Sequence, residues 1–258
     1  MKKLVCILII IFAFFILLSG CTELKNIEGK IEMMVEVLPD EAERKVENIK
    51  NRSYAVGDMI KFGQYIMGYD NNGNYRYNDI EWRVLEVNEE DNKVLLLCNE
   101  IIDGRPYNDE KVDVTWENCD LRSWLNQDFY DEAFNDSEKA IISDTEIPVN
   151  DSYVIDKVFL PTYAQTGRQE GKATRYAYER GVTCYTSVQA RGRSYSFKDG
   201  DDYSSSKRKC MWWIRTESGT GYAKISPWAK LLSVTSDDIS EILGIRPAIW
   251  IDLTRHQD

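Results

Sequence analysis

Two apolar, alternating segments separated by a short polar turn leave a chain few ways to fold, and residues 80–102, IEWRVLEVNEEDNKVLLLCNEII, have that form. IEWRVLEV and KVLLLCNEII alternate as strands do, and the polar run from Asn88 to Asn92 joins them into a predicted hairpin. Trp82, Val84 and the run Val94 to Leu97 supply its buried face. Upstream, AVGDMIKFGQYIM has the same alternation, with Gly57 and Gly63 as turn or bulge positions.

The period then changes. In DLRSWLNQDFYDEAF the residues Leu121, Trp124, Leu125, Phe129 and Ala133 fall on one helical face, with Asn118 or Asp120 placed to cap it. SEKAIISDTEI predicts a short amphipathic helix capped by Ser137. DKVFLP returns to strand, and ATRYAYERG predicts a short helix capped by Thr174 or its neighbours and stopped by Gly181. Thr183 to Lys209 is polar and Ser-rich and reads as a long surface loop, after which CMWWIRT, YAKIS, KLLSV and GIRPAIWIDL read as strands. The expectation is one compact α+β domain: a mixed or antiparallel sheet built from N- and C-terminal strands, with helices in the middle.

The N-terminus sets where such a domain would work. Lys2 and Lys3 precede an apolar run from Leu4 to Leu18 and the small pair Ser19 and Gly20, the pattern of a secretory signal over residues 1–20. Leu18-Ser19-Gly20-Cys21 resembles the bacterial lipoprotein box, which implies lipid attachment at Cys21 and a membrane-anchored, extracytoplasmic protein. Residues 21–52 carry Ile27, Ile31, Met34, Val35 and Leu38, then Ala42, Val46 and Ile49, at helical spacing, and read as a stalk ahead of a globular domain over 53–258. Removing residues 1–20 takes away two Lys and no acid, so the net charge moves from −11 to −13. A surface of that sign repels phosphate backbones and argues against nucleic acid as a partner.

Candidate chemistry is sparse. Cys98, Cys119, Cys184 and Cys210 allow three pairings, and the sequence does not choose among them. There is no C-x-x-C, and the single His is His256 near the C-terminus, so neither a zinc site nor a Cys-His nucleophile has its parts. Cys119 therefore reads as a packed thiol at a helix start. Asp70, Asn72, Asn74, Asn78 and Glu81 follow a calcium-loop register, but Gly73 falls at the wrong position and the flanks read as strands, so a solvated hairpin loop is the better reading. No phosphate-binding, dinucleotide or G-x-S-x-G motif is present, no cofactor is implied, and no pair of acids stands out for hydrolysis. Along a strand Trp212 and Trp213 point opposite ways, so one is expected to face outward. Trp213, with Trp228 and Tyr222 beside turns, forms the expected ligand-binding set.

In this order, GDMIKFGQY, IEWRVLEV, TWENCDLRSWLNQDFYDEAF, DKVFLP, WWIRT and GIRPAIWIDL resemble the prokaryotic domain of unknown function 6273, over about residues 54–253. That resemblance implies a secreted or surface protein and brings no activity with it. The closing order of a Trp-rich strand, further strands and G-x-R-P-A is also similar to C-type-lectin-like and formylglycine-generating-enzyme folds, without the oxidase's paired Cys or the lectin's Trp-Asn-Asp. The expected function is recognition of a cell-surface ligand, with a glycan first, a protein partner second, and a cell-wall or glycan hydrolase as the enzymatic alternative.

Overall fold

The computed structural model describes residues 41–167, 169–172, 174, 176–177, 184–185, 209–217, 219, 221–226 and 229–254. Cys21, the earlier part of the expected stalk, Trp228 and most of the Ser-rich stretch lie outside them. Residues 1–44 form one unit and 45–258 another. Helix α1, Glu41–Lys50, has its first turn in the former, and its remainder belongs to the latter. There Val46 and Ile49 are buried, and Lys45 reaches Asp79 at 3.1 Å, so the compact body begins within the segment expected to be stalk. Among the described residues, no helix is long and apolar enough to cross a membrane.

Two sheets make the core of the body. The first is antiparallel, in the order β1 (Met59–Tyr69), β2 (Tyr75–Asn88), β3 (Lys93–Cys98), β14 (Ala248–Asp252), so the last strand closes onto the N-terminal ones as the sequence predicts. The second has the order β12 (Leu231–Val234), β11 (Tyr222–Ile225), β10 (Trp212–Arg215), β13 (Leu243–Ile245), β4 (Asp103–Arg105). Only the β10 to β13 pairing in it is parallel. The fold is therefore α+β with a mixed sheet. A hairpin of β5 (Thr145–Val149) and β6 (Ser152–Asp156) and a small set of β7 (Gly171–Lys172), β9 (Lys209–Cys210) and β8 (Cys184–Tyr185) complete the strands.

β1 bends where the sequence places Gly63. Its register against β2 shifts between Lys61 and Gln64, and Gly63 adopts a φ of 69°. A Cβ there would lie 2.7 Å from the Phe134 ring and 2.8 Å from the Ala133 carbonyl oxygen, so only glycine allows the helical segment to approach. The Gly63 N–H, released from the ladder, donates to buried Glu138 at 3.0 Å. Phe134 packs on Phe62 and Trp82, and Phe129 meets Tyr65 edge-on, which seats the helices against β1 and β2.

The helical middle is more broken than its periodicity predicts. α2 (Asp120–Trp124) and α3 (Tyr130–Ala133) are separated by a π-type turn, Leu125–Phe129. That turn carries Asn126, whose side-chain oxygen accepts from the Lys157 and Val158 N–H groups at 2.8 and 3.1 Å. The next helix, α4 (Asp136–Lys139), is capped by Asn135 rather than Ser137, with Asn135 and Glu138 forming a reciprocal capping box. It stops after one turn because Thr145 to Val149 is the first strand of the β5–β6 hairpin, not a helix continuation. DKVFLP is likewise not a strand of its own: β6 ends at Asp156, and Phe159 makes a single bridge to Ala248.

The two sheets meet where β3 runs into β4 and β13 into β14. Arg246 occupies that corner, with 1% of its surface exposed. Its Nε donates to the Cys98 carbonyl at 2.9 Å, and its Nη groups donate to those of Asn99 at 3.1 Å and Glu170 at 3.4 Å. Its guanidinium carbon lies 4.7 Å from the Trp212 ring centroid. Burial lowers its pKa to about 10, which still leaves it charged at neutral pH. Replacing Arg246 by Met would keep the volume and leave the buried Cys98 carbonyl and the part-buried Asn99 and Glu170 carbonyls without this donor. A loss of about 3 kcal/mol or more in unfolding free energy is expected, read from the urea midpoint; a shift under about 1 kcal/mol would contradict this role.

Candidate functional site

Of the expected aromatic ligand set, Trp228 lies outside the described residues, and the fold gives Trp213 and Tyr222 partners within the protein. Trp212 and Trp213 do point to opposite faces, but β10 is covered on both, and each is fully buried. Trp213 donates from Nε1 to the Arg105 carbonyl at 2.9 Å and packs edge-on against Tyr107. Tyr222 is half-buried, and its hydroxyl accepts from the Val114 N–H at 2.8 Å and donates to the Val114 carbonyl at 3.0 Å. These two residues latch the second sheet to the loop ahead of the helices; they are not a stacking surface.

Cys119 is also committed to packing. It is fully buried at the start of α2, and desolvation pushes its thiol up to about 12. The motif around it builds a polar knot instead. Trp116 donates from Nε1 to Asp156 at 2.7 Å, and Arg122 donates from Nε to the other oxygen of the same carboxylate at 2.7 Å. Arg122 also bonds the Glu117 and Ile155 carbonyls. Cys98 is buried and free, its thiol likewise raised to about 12, whereas Cys210 is disulfide-bonded and faces Cys184 in the β8–β9 register.

A cleft of about 730 Å³ opens along β1 and β2, within the roughly 300–1,000 Å³ usual for small-ligand sites. Along it β2 continues back to Tyr75, through residues that the sequence reads as a solvated hairpin loop. Asp70 closes that hairpin by accepting from the backbone N–H groups of Asn72 and Asn74 at 2.8 and 2.9 Å and from the Asn74 side chain at 3.0 Å. These bonds lower its pKa, and both carboxylate oxygens serve the turn. Tyr75 then lies directly across from Tyr69, with ring centroids 5.5 Å apart. Tyr176, from the turn whose Ala177 N–H bonds the Thr174 hydroxyl, stands perpendicular to Tyr75 at 5.9 Å.

Tyr69 forms one wall of the cleft, Met67, Cys98 and Ile102 give it an apolar floor, and Tyr75 stands 57% exposed beside it. Arg76 and Asn78 line it near the tyrosines, and Asp79 and Glu81 of β2 with Lys61 of β1 line it further along. From Arg76 to Glu81 the strand runs about 16 Å at roughly 3.3 Å per residue. Asp79 is held by Lys45 and by Gln64 at 3.2 Å. Glu100 reaches the cleft from the β3–β4 corner, and desolvation, followed by the Glu81 charge, raises its pKa. A second cleft of about 530 Å³ lies between the end of α1 and the β2–β3 turn, with Tyr54 as its single aromatic.

None of these residues belonged to the expected set, yet a signal was present. Tyr69, Tyr75 and Tyr77 flank a short Asn-Gly-containing turn, and extending the strand alternation from Trp82 back to Tyr75 pairs the first two. Among the described residues, no cluster of three His, Cys, Asp or Glu side chains could hold a metal ion.

The frame and cleft define an α+β domain with a polar, tyrosine-walled groove beside the junction of its sheets. The family described as a domain of unknown function (DUF6273) matches residues 91–253, and the chain belongs to it. No curated protein and no solved structure matches the chain. The match starts later than the motif resemblance, so GDMIKFGQY and IEWRVLEV precede it, as do Lys61 to Glu81 of the cleft, while Cys98, Glu100, Ile102 and Thr174 fall within it.

Thiol alkylation of the folded protein at mildly alkaline pH should leave Cys98 and Cys119 unmodified, with both labelled in concentrated urea, as read by peptide mass analysis. Labelling of Cys119 in the folded state would restore it as a reactive thiol.

Proposed function

We propose that this chain is a lipid-anchored extracytoplasmic module that binds a glycan in the β1–β2 cleft. The observation that carries the reading is the Tyr69 wall of a groove with polar groups along its length, with the exposed Tyr75 ring packed against Tyr69 at its edge. A tyrosine ring offers a flat apolar face to the C–H face of a pyranose, and carboxylate, amide and guanidinium groups suit its hydroxyls. The groove length along β2 suits an oligosaccharide better than a single sugar. Anchoring rests on the signal ending in Cys21, and the acidic composition assigns membrane attachment to the lipid rather than to the protein surface.

The reading is tested by binding of the chain to purified cell-wall polysaccharides. Saturable binding is expected, weakened at least about tenfold by Tyr75→Ala with the melting temperature unchanged, since Tyr75 is largely exposed. Absence of binding to every polymer, or full affinity in the variant, would overturn it. Anchoring is tested separately: Cys21→Ser should move the protein out of the membrane fraction and abolish incorporation of labelled fatty acid.

A second reading, hydrolysis of the glycan, draws on one observation, the raised carboxyl of Glu100 beside Glu81. Release of reducing ends during the same incubations would favour it.

A further inference from the structure

The cleft is not electrostatically uniform. At the tyrosine end stand Arg76 and Asn78, and toward the sheet junction stand Glu81 and Glu100. Asp79 between them is already neutralised by Lys45 at 3.1 Å. Glu81 has only a loose, exposed contact with Lys61 at 3.9 Å, the kind of surface pair that contributes little and yields easily. Glu100 has no cation within ion-pairing distance among the described residues; Lys172 and Arg246 act on it only from further off.

Two carboxylates thus line one end of the groove, and desolvation together with the Glu81 charge disfavours the ionised form of Glu100, with apolar Met67 and Ile102 also lining the groove. A ligand that brings a positive charge there relieves the repulsion and gains charge-assisted hydrogen bonds. One that brings a negative charge worsens it. The chain as a whole, at a net charge of −11, likewise attracts cationic ligands and repels anionic polymers at long range. A compact ammonium group on a sugar ring fits two carboxylate acceptors and a partly apolar lining. The tyrosine wall takes the neighbouring rings.

We propose that the Glu81 and Glu100 end of the cleft receives a protonated amine, making the ligand a glycan with free amino sugars rather than N-acetylated ones. This inference rests on the glycan-binding reading above and specifies its ligand class.

The test uses the full chain in detergent micelles, titrated calorimetrically with β-1,4-linked glucosamine oligomers and with their N-acetylated counterparts of equal length. The free-amine oligomers should bind about tenfold more tightly, the worth of a charge-assisted hydrogen bond in a partly desolvated site. Glu100→Gln should bring the ratio of the two affinities close to one. Should that variant fail to fold, Glu81→Gln, at an exposed position, reads the same ratio. Equal affinities in the unaltered chain, or a preference that survives both substitutions, would overturn the inference. Binding of the N-acetylated oligomers alone would overturn it and leave glycan binding standing, whereas binding of neither would remove both.

Discussion

The buried guanidinium of Arg246 is the interaction on which the rest of the architecture depends. It stands where the β3–β14 ladder gives way to the β4–β13 ladder, and it bonds the carbonyls of Cys98 and Asn99 that would otherwise be orphaned at the bend. A sheet can turn a corner only if the backbone groups leaving one ladder find partners before joining the next. Arg246 provides these from a side chain whose charge strengthens each bond, and Trp212 supports its face. Its third carbonyl, on Glu170, ties the corner to the segment that carries β7 and Thr174. The cleft is thereby coupled to the core, because Cys98, Glu100 and Thr174 all border it.

A second polar network does for the helices what Arg246 does for the sheets. Asp156 is buried and accepts from both Trp116 and Arg122, so one carboxylate fixes the entry to α2 against the end of β6. Desolvation raises the Asp156 pKa despite these partners, as expected where removal from water outweighs two donors. Glu138 repeats the device on a smaller scale, bonding Gly63 of the β1 bulge and Asn135 of its own capping box. Thus Trp116, Arg122, Asp156, Trp212 and Arg246, all within the matched residues, account for the frame. The cleft draws its tyrosines largely from β1 and β2, which precede the matched residues.

Much of the fold was legible in local pattern. Alternation around Trp82 and Val94 sets the hairpin's buried face, and Gly63 reads from the sequence as a turn or bulge position, in keeping with its positive φ and its contact with Phe134. The helix boundaries were less legible. Ser137 and Asn135 are equally good caps in isolation, and the choice fell to Asn135 because Glu138 lies three residues after it and could answer. The site was hardly legible, because a ring's exposure depends on what covers its strand rather than on the strand's own pattern.

The sequence by itself determined the period of each segment, the acidic composition and the want of a nearby His for any Cys nucleophile, since these are properties read along the chain. Only the tertiary structure decided that Trp213 is core while Tyr75 stands in solvent. β10 is an inner strand with both faces covered, whereas the outer end of the β1–β2 hairpin extends beyond the covered part of its sheet. The same holds for Asp156 and Arg122, 34 residues apart, and for Arg246 and Cys98, 148 apart. Such partners are set by where desolvated charges and carbonyls meet after folding, and no local period encodes that meeting.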